Sequence, residues 1–186
     1  MAFSVDFSIP GRYCLKETES GAESSRTCVF CRQNGEELFF RFECKENYFY
    51  PKHYGYNEPL YEGDIVELMI TLGSKNRYLE TETNFNGADY CVIIENKDGE
   101  GDIEIFPLEK NLVKSKVETL VDGWACDIIL DIKELKKIGL GREVFFNAHR
   151  QDFDENGILR LYSLNPTLCR TFHKISAFLR AEIKEV

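Results

Sequence analysis

The chain has 186 residues, a length that suits one ordinary domain with enough residues to bury a core. Its formal net charge is −9 and its longest basic cluster is Lys136-Lys137, so the sequence argues against a nucleic acid partner. No segment approaches the roughly 20 apolar residues that span a bilayer, and no membrane partner is expected. Aromatic residues make up 13% of the chain, which favours strands over helices.

The amino-terminal sequence MAFSVDFSIPGRYC lacks a basic region followed by a long apolar run, which is the pattern of an export signal. We therefore expect a cytoplasmic location, or an extracellular one if the chain is a fragment or a mature form. The seven cysteines are scattered among apolar residues. In a chain without an export signal they are expected to be reduced, and no disulfide is predicted.

The first predicted element is a hairpin of residues 27–33 and 37–45, because Asn34-Gly35 between them tolerates positive φ angles. Residues 47–57 follow and are rich in Tyr and Phe, with Pro51 and Gly55 interrupting the alternation. This segment is interpreted either as a loop packed by its own rings or as part of a ligand site.

Two predicted strands, residues 65–70 and 78–85, place acidic side chains on one face. In the first, Glu67 shares a face with apolar neighbours, while the alternate residues point the other way. In the second, Glu80 and Glu82 share a face. Adjacent pairing of these strands would give a floor lined by carboxylates beside Tyr61, which precedes the first strand.

The remaining predicted strands are residues 90–95, 103–106, 113–120, 124–132, 143–151, 158–163 and 172–183. A short helix over 132–138 is predicted between them, with Asp131 as its cap and Gly139 and Gly141 at its end. About ten short strands at close spacing predict an all-β fold, a two-sheet antiparallel β-sandwich of the jelly-roll type with one short helix. We expect residues 1–186 to form a single domain.

DFDENG at residues 152–157 has oxygen ligands at alternate positions and then a glycine, like the opening of a calcium loop. Asp152, Asp154 and Asn156 are therefore weak metal candidates. The twelfth position is Ser163 and lacks the usual bidentate glutamate, so an Asn-Gly turn between two strands is the favoured interpretation.

Six segments in sequence order carry a family resemblance. They are LFFRFEC at 38–44, EPLYEGDIVELMI at 58–70, YLETETNFNG at 78–87, GWACDIILDIKEL at 123–135, FFNAHRQD at 145–152 and FHKISAF at 172–178. Together they make residues 36–184 resemble a family 9 carbohydrate-binding module, or a close relative in the same β-sandwich superfamily.

The resemblance implies non-catalytic binding of a mono- or oligosaccharide end between two aromatic side chains. The matching positions are Tyr61 and Phe172, where members of the family often carry tryptophan. Glu67 and Arg150 match the principal partners of the sugar hydroxyls, and further polar contacts are implied for Asn84, Glu80 and Glu82. The resemblance also implies structural calcium, and a role beside a glycoside hydrolase in polysaccharide catabolism.

Three other interpretations stay open from the sequence. Tyr61 and Phe172 are also explained as core residues, with the glutamates on a solvated face, which would make the domain a scaffold that binds nothing. A glycoside hydrolase, or a hydrolase-associated accessory domain, would use Glu67 with Glu80 or Asp64 if they lie about 5 to 10 Å apart. A haem-binding sandwich would need axial ligands, for which the candidates are Met69 with His149 or His173.

Overall fold

The computed structural model describes residues 4–109 and 112–184, which form fourteen strands in two sheets. The larger sheet contains β1 (Ser4–Asp6), β3 (Lys16–Glu17), β6 (Ile65–Leu72), β7 (Ser74–Asn84), β8 (Asp89–Asn96), β9 (Ile103–Pro107), β12 (Glu143–Phe153), β13 (Leu159–Ser163) and β14 (Leu179–Glu182). The smaller sheet contains β2 (Gly11–Cys14), β4 (Thr27–Asn34), β5 (Glu37–Lys45), β10 (Val113–Leu120) and β11 (Gly123–Asp131).

The main path of the larger sheet runs β1-β14-β12-β6-β7-β8-β9, and β13 and β3 extend it beside β12. The smaller sheet runs β10-β11-β5-β4-β2. The strand pairs are antiparallel except for β1 with β14. The prediction of an all-β, two-sheet sandwich with one short helix is confirmed.

The main core lies between the two sheets and is built by alternation along the strands. On β5 every second residue is buried, and Phe40 and Phe42 are fully enclosed. Phe7 reaches this core from the segment after β1, with its ring centroid 5.6 Å from Phe40 and 5.0 Å from Phe146. Burial of each such ring contributes about 1.5–3 kcal/mol to the free energy of unfolding. These aromatic residues therefore serve the packing of the core.

A second apolar cluster covers the outer face of the larger sheet. Its floor includes Met69 on β6, Tyr78 on β7 and Val92 on β8, and Phe172 and Phe178 cover them from the segment before β14. Every residue of β6 is buried, because both of its faces are covered. The acidic side chains of β6 and β7 therefore emerge beside an apolar cluster on the outer face.

The predicted helix is confirmed as α1 (Ile132–Lys137). Asp131 accepts hydrogen bonds from the backbone N–H groups of Lys133 and Glu134 at 2.8 and 3.2 Å, a capping arrangement that stabilises a helix by about 1 kcal/mol. Ile132 and Leu135 bury the inner side of the helix against the core. No helix within the described ranges is long and apolar enough to cross a membrane.

The first hairpin is confirmed as β4 and β5, with its turn at Gly35 and Glu36. Gly35 has a φ of 57°, which explains the glycine. The predicted strand over 172–183 is wrong for its first part, since only Leu179–Glu182 pairs as β14 and residues 175–177 form a 3-10 turn. The alternating apolar residues of that first part pack onto the outer cluster instead of entering a ladder.

The cysteine prediction requires a correction. Cys14 and Cys28 lie directly opposite each other on β2 and β4, and their sulfurs are joined in a disulfide. The five other cysteines are free, and Cys169 is the one among them that is not buried. The pairing was missed because no strand was predicted before residue 27, so the sequence offered no partner for residue 28.

Candidate functional site

A cleft of about 390 Å³ opens on the outer face of the larger sheet. Its floor is made by β6, β7 and β8, which contribute Glu67, Glu82 and Tyr90 among others. Its sides are lined by Tyr61 and by Phe172, which comes from the segment before β14. The cleft therefore combines strands at the centre of the sheet with side chains from two irregular segments.

Three glutamates meet on the floor because of the strand register. Glu67 on β6 and Glu82 on β7 are direct cross-strand partners, so their Cβ atoms are neighbours on one face. Glu80 lies two residues from Glu82 and therefore emerges on the same face. The prediction that Glu67, Glu80 and Glu82 line a common floor beside an aromatic ring agrees with this geometry.

Burial makes the three carboxyl groups weaker acids than an ordinary glutamate. Burial first, and then the nearby Glu80 and Glu82, raise the pKa of Glu67 well above its ordinary value. Burial raises the pKa of Glu80 to about 8, and burial together with Glu80 raises the pKa of Glu82. Near neutral pH the cluster therefore retains protons, so its carboxyl groups can donate as well as accept hydrogen bonds.

Tyr61 forms the exposed wall of the cleft. It lies in a 3-10 turn over Leu60–Glu62 and is 51% exposed, which leaves one ring face open. Its edge-on neighbour is Tyr90, with ring centroids 6.4 Å apart. The backbone of the turn is held from β12, because Gln151 Nε2 donates to the carbonyl of Tyr61 at 3.0 Å.

Phe172 also lines the cleft and is largely buried, with 8% of its surface exposed. It stacks on His149 of β12, with ring centroids 4.2 Å apart and planes 18° apart. Burial lowers the pKa of His149 well below its ordinary value, so the ring is neutral. Its Nδ1 contacts Ser163 Oγ at 2.8 Å, and its Nε2 has no hydrogen-bond partner among the described residues.

His173 follows Phe172 and also lines the cleft. Its Nδ1 contacts the hydroxyl of Tyr78 at 2.9 Å and stands 3.7 Å from Glu80 Oε2. Burial lowers the pKa of His173 to about 4, so the ring is neutral and the approach to Glu80 is not an ion pair. Asn96 fixes the backbone by donating to the His173 carbonyl at 2.6 Å.

The structure does not bring Arg150 to the cleft. Its side chain points to the opposite face of the sheet, is 1% exposed and lies over the Trp124 ring at 5.2 Å. There it donates to Glu46 at 2.5 Å and to Asp152 at 3.4 Å. A buried guanidinium between the sheets cannot reach a ligand on the outer face, so the sequence-based role of Arg150 as a hydroxyl partner is corrected.

Asn84 is also separated from the cleft, although it ends the strand that carries Glu82. It is fully buried, and its Nδ2 donates to the backbone carbonyl of His53 at 3.0 Å. Its Oδ1 accepts from the backbone N–H groups of Asn86 and Ala88, both at 3.0 Å. These bonds use the amide to close the turn after β7, so Asn84 does not line the cleft.

The three metal candidates fall into two environments. Asp154 accepts from the backbone N–H groups of Asn156 and Ile158 and from Arg160, which is the arrangement of the hairpin turn between β12 and β13. Asp152 is buried and faces Arg150 and Arg26 instead. The structure thus favours the hairpin interpretation of DFDENG.

A different acidic triad, Glu46, Asp64 and Asp152, has one oxygen from each residue within 4.8 Å of the others. Arg150 supplies a positive charge to this triad, and Asp64 also accepts from the backbone N–H groups of Tyr50 and Phe153. The sequence did not connect Glu46 or Asp64 with a metal site, since nothing in their local sequence indicates one. Their contacts are those of a buried ion network, and calcium stays a prediction.

Met69, one of the axial haem ligands proposed from the sequence, is not available to a ligand in the cleft. Met69 is fully buried under the outer apolar cluster and does not line the cleft. His149 is covered by the stacked ring of Phe172, and His173 is engaged with Tyr78. The proposed pairs therefore do not present two axial ligands to one open space.

Sequence analysis also missed several residues of the cleft. Gln151 and Tyr90 line it from β12 and β8, and Arg170 and Thr171 line it beside Phe172. For Gln151 a signal existed, because it is two residues beyond His149 on a predicted strand and therefore shares its face. The positions of Arg170 and Thr171 depend on an irregular segment and carry no periodic signal.

Comparisons with known proteins bear on the fold. No protein-family model matches the chain, and no curated protein matches it. Among solved structures, a Bacteroides uniformis protein provisionally assigned to carbohydrate binding aligns with a TM-score of 0.74 and 13% identity, covering 94% of this chain and 87% of that one.

Two further similar structures are family 9 carbohydrate-binding modules from Caldicellulosiruptor kristjanssonii. The one in complex with cellotriose aligns with a TM-score of 0.65 and 11% identity, covering 98% of this chain and 93% of that chain. The one in complex with glucose aligns with a TM-score of 0.62 and 12% identity, covering 92% of this chain and 84% of that one. The resemblance to family 9 modules is thereby confirmed at the level of the fold: this chain has the β-sandwich that those modules share.

Proposed function

We propose that the cleft binds the end of a carbohydrate non-covalently, with Tyr61 and Phe172 as stacking faces and the floor carboxyl groups as hydroxyl partners. One observation carries the proposal: two aromatic residues far apart in sequence line a single cleft that also holds three carboxyl groups. The fold shared with modules solved in complex with cellotriose and glucose supports it.

The chemistry of the cleft suits a sugar ring. The C–H faces of a pyranose are apolar and pack on aromatic rings, while its equatorial hydroxyls require partners in the plane of the ring. Tyr61 offers an open ring face, and Glu67, Glu80 and Glu82 offer oxygens that can accept or donate. A cleft of about 390 Å³ is within the ordinary range for small-ligand sites.

The pKa values of the floor glutamates favour binding over catalysis. A retaining glycosidase needs one protonated carboxyl group and one ionised carboxylate, so the two pKa values must be pushed apart. Here the pKa values of Glu67, Glu80 and Glu82 are all raised, mainly by burial. None of the three has an environment that keeps it ionised as a nucleophile at neutral pH.

Binding can be measured by titration calorimetry with glucose, cellobiose and a panel of other mono- and disaccharides. Tyr61→Ala is expected to weaken the tightest of these ligands at least about tenfold, which corresponds to about 1.4 kcal/mol. The matched control is Tyr54→Ala, since Tyr54 is a tyrosine that is 73% exposed outside the cleft. Equal affinity of the Tyr61→Ala protein and the unsubstituted protein would contradict the proposed clamp.

Phe172 requires a milder substitution because it is largely buried. Phe172→Leu keeps an apolar side chain over His149 and removes the aromatic face, so weaker sugar binding is expected at nearly unchanged melting temperature.

The same panel of sugars tests the alternative that the protein is a glycoside hydrolase. Release of reducing sugar that disappears in a Glu67→Gln variant would establish a glycoside hydrolase in place of a binding module.

A further inference from the structure

The floor of the cleft concentrates acidic groups without a matching cation. Among the described residues, Glu67 and Glu82 form no ion pair, and the nearest basic group to Glu80 is the neutral ring of His173. Glu80 Oε2 and Glu82 Oε2 have no hydrogen-bond partner in the described part of the chain, although the two residues are only 5% and 2% exposed. Buried, unpaired carboxyl oxygens are costly, and in native proteins they call for an explanation.

Arg170 is the one residue with a permanent positive charge that lines the described cleft. Its side chain is 66% exposed and approaches Glu19 at 3.9 Å, away from the floor. The pKa values of Glu67, Glu80 and Glu82 are raised by burial and, for Glu67 and Glu82, by neighbouring carboxyl groups, while a backbone hydrogen bond from Tyr61 acts in the opposite direction on Glu82. If the floor carboxyl groups ionise, no Arg or Lys among the described residues that line the cleft lies within ion-pair distance of them.

The spacing of the three groups points to a cation larger than a metal ion. Within the described ranges, the acidic triad with one oxygen of each residue inside 4.8 Å is Glu46, Asp64 and Asp152, which is not in the cleft. Glu67, Glu80 and Glu82 are spread over two strands and two ladder positions instead. Such spacing suits an ammonium group, which donates to acceptors around it and is carried by a sugar ring that lies between Tyr61 and Phe172.

We propose that the cleft selects a sugar end that carries a protonated amine, so that an amino sugar such as glucosamine is preferred over the neutral sugar of the same shape. This inference rests on the proposed carbohydrate binding and specifies its ligand class. The ammonium donates to Glu80 Oε2 and Glu82 Oε2, while the ring packs between the two aromatic walls. Acetylation of the amine removes the charge and with it the preference.

The protonation of the cluster gives the proposal a thermodynamic signature. The titratable groups that face the floor glutamates are Tyr78 and Tyr90 from the neighbouring strand positions, His149 from β12, His173 from the covering segment and Tyr61 from the wall. Near neutral pH both histidines are uncharged because burial lowers their pKa values, and burial raises the pKa values of Tyr78 and Tyr90, which stay protonated. The glutamates are therefore the groups that release protons when a cation enters.

The test is titration calorimetry of the folded protein at pH 6.5 with glucose, glucosamine and N-acetylglucosamine, repeated in two buffers of different ionisation enthalpy. Glucosamine is expected to bind at least about tenfold more tightly than the two neutral sugars. Its binding is expected to release roughly one proton, which glucose binding does not. Ethanolamine, an amine without a sugar ring, is expected to bind much more weakly than glucosamine.

Substitutions of the floor glutamates test whether these residues cause the preference for an amino sugar. Glu80→Gln and Glu82→Gln are each expected to reduce the ratio of glucosamine to glucose affinity at least about fivefold and to diminish proton release. Glu104→Gln is the control, because Glu104 is an exposed acid on β9 between two residues that line the cleft, and its removal changes the net charge equally. Thermal unfolding of each variant shows that it is folded before titration.

The outcomes separate the two proposals. Equal affinities for glucosamine and glucose would overturn the preference for an amine and leave carbohydrate binding standing. Ethanolamine binding as tight as that of glucosamine would show that the ring contributes nothing and would overturn the amino sugar as ligand. Absence of binding by every sugar, with a folded protein, would overturn carbohydrate binding itself.

Discussion

His149 lies flat against Phe172, with the two ring centroids 4.2 Å apart, and thereby connects the central strand β12 to one wall of the cleft. The imidazole is fully buried and is anchored through Ser163, whose hydroxyl also contacts Thr18 at 2.7 Å. Phe172 comes from a segment without regular strand pairing, so its ring is positioned by side-chain contacts, of which this stack is one and the outer apolar cluster supplies others.

His149→Ala is expected to weaken sugar binding about tenfold and to lower the free energy of unfolding by about 3 kcal/mol, because it removes the ring that supports Phe172 and leaves a cavity. His149→Phe keeps a flat ring in that place and is expected to preserve most of the affinity. Calorimetry and urea unfolding measure the two effects. Unchanged affinity in a folded His149→Ala protein would show that Phe172 does not depend on this contact.

Stability is expected to decrease between pH 6.5 and 8. Burial raises the pKa of Glu80 to about 8 in the folded protein, against an ordinary value of 4.5, so the folded state holds a proton that the unfolded chain releases. The resulting stabilisation is complete below pH 4.5 and is lost as pH rises through 8. Burial raises the pKa of Glu46 to about 7, which acts in the same direction.

Burial lowers the pKa values of His149 and His173. Their contribution to the free energy of unfolding therefore increases with pH up to about 6.5, the ordinary pKa of histidine, and is constant above it. Scanning fluorimetry should therefore show a melting temperature at least about 3 °C lower at pH 8 than at pH 6.5. Glu80→Gln is expected to flatten this dependence. A melting temperature that increases over this interval would contradict the buried, protonated state of the cluster.

Arg150→Met is expected to lower the free energy of unfolding by about 3–5 kcal/mol, because it leaves Glu46 and Asp152 buried without their cation. Adding Glu46→Gln to Arg150→Met should recover part of the loss. Urea unfolding measures both. In conditions where these variants are folded, sugar affinity should be unchanged, since Arg150 faces away from the cleft; a large loss of affinity would place Arg150 back in the site.

The Cys14–Cys28 disulfide closes a short loop and is expected to stabilise the fold by about 3 kcal/mol. Thiol titration of the denatured, unreduced protein should detect the five free cysteines, and reduction should expose two more. A Cys14→Ser, Cys28→Ser variant should unfold at lower urea concentration. Detection of all seven thiols without a reductant would show that the pair is open in the purified protein.

Much of the fold could be predicted from alternation alone. On β7 Glu80 and Glu82 stand two positions apart and therefore share a face, and alternation on β6 places Glu67 beside apolar neighbours on one of its faces. The helix was predictable because Asp131 caps it and apolar residues recur along one side. In both cases the physical signal is local and periodic.

The positions of Arg150 and Phe172 required the tertiary structure. On β12 polar residues occur on both faces, because Arg150 enters an ion network between the sheets while Gln151 lines the cleft. The pattern of apolar and polar residues along β12 therefore does not indicate which of its faces points toward the core. The segment around Phe172 is rich in apolar residues like a strand, and only its packing against the outer cluster distinguishes the two.

The cleft joins a floor of paired central strands to a wall contributed by residues 164–178, which contain no strand. The floor is tied into ladders on both sides, so changes there would disturb the whole sheet. The wall carries no such constraint, and substitutions in it can alter which ligand fits while the architecture persists. The shape itself tolerates wide change in sequence, since the similar solved structures share only 11–13% identity with this chain.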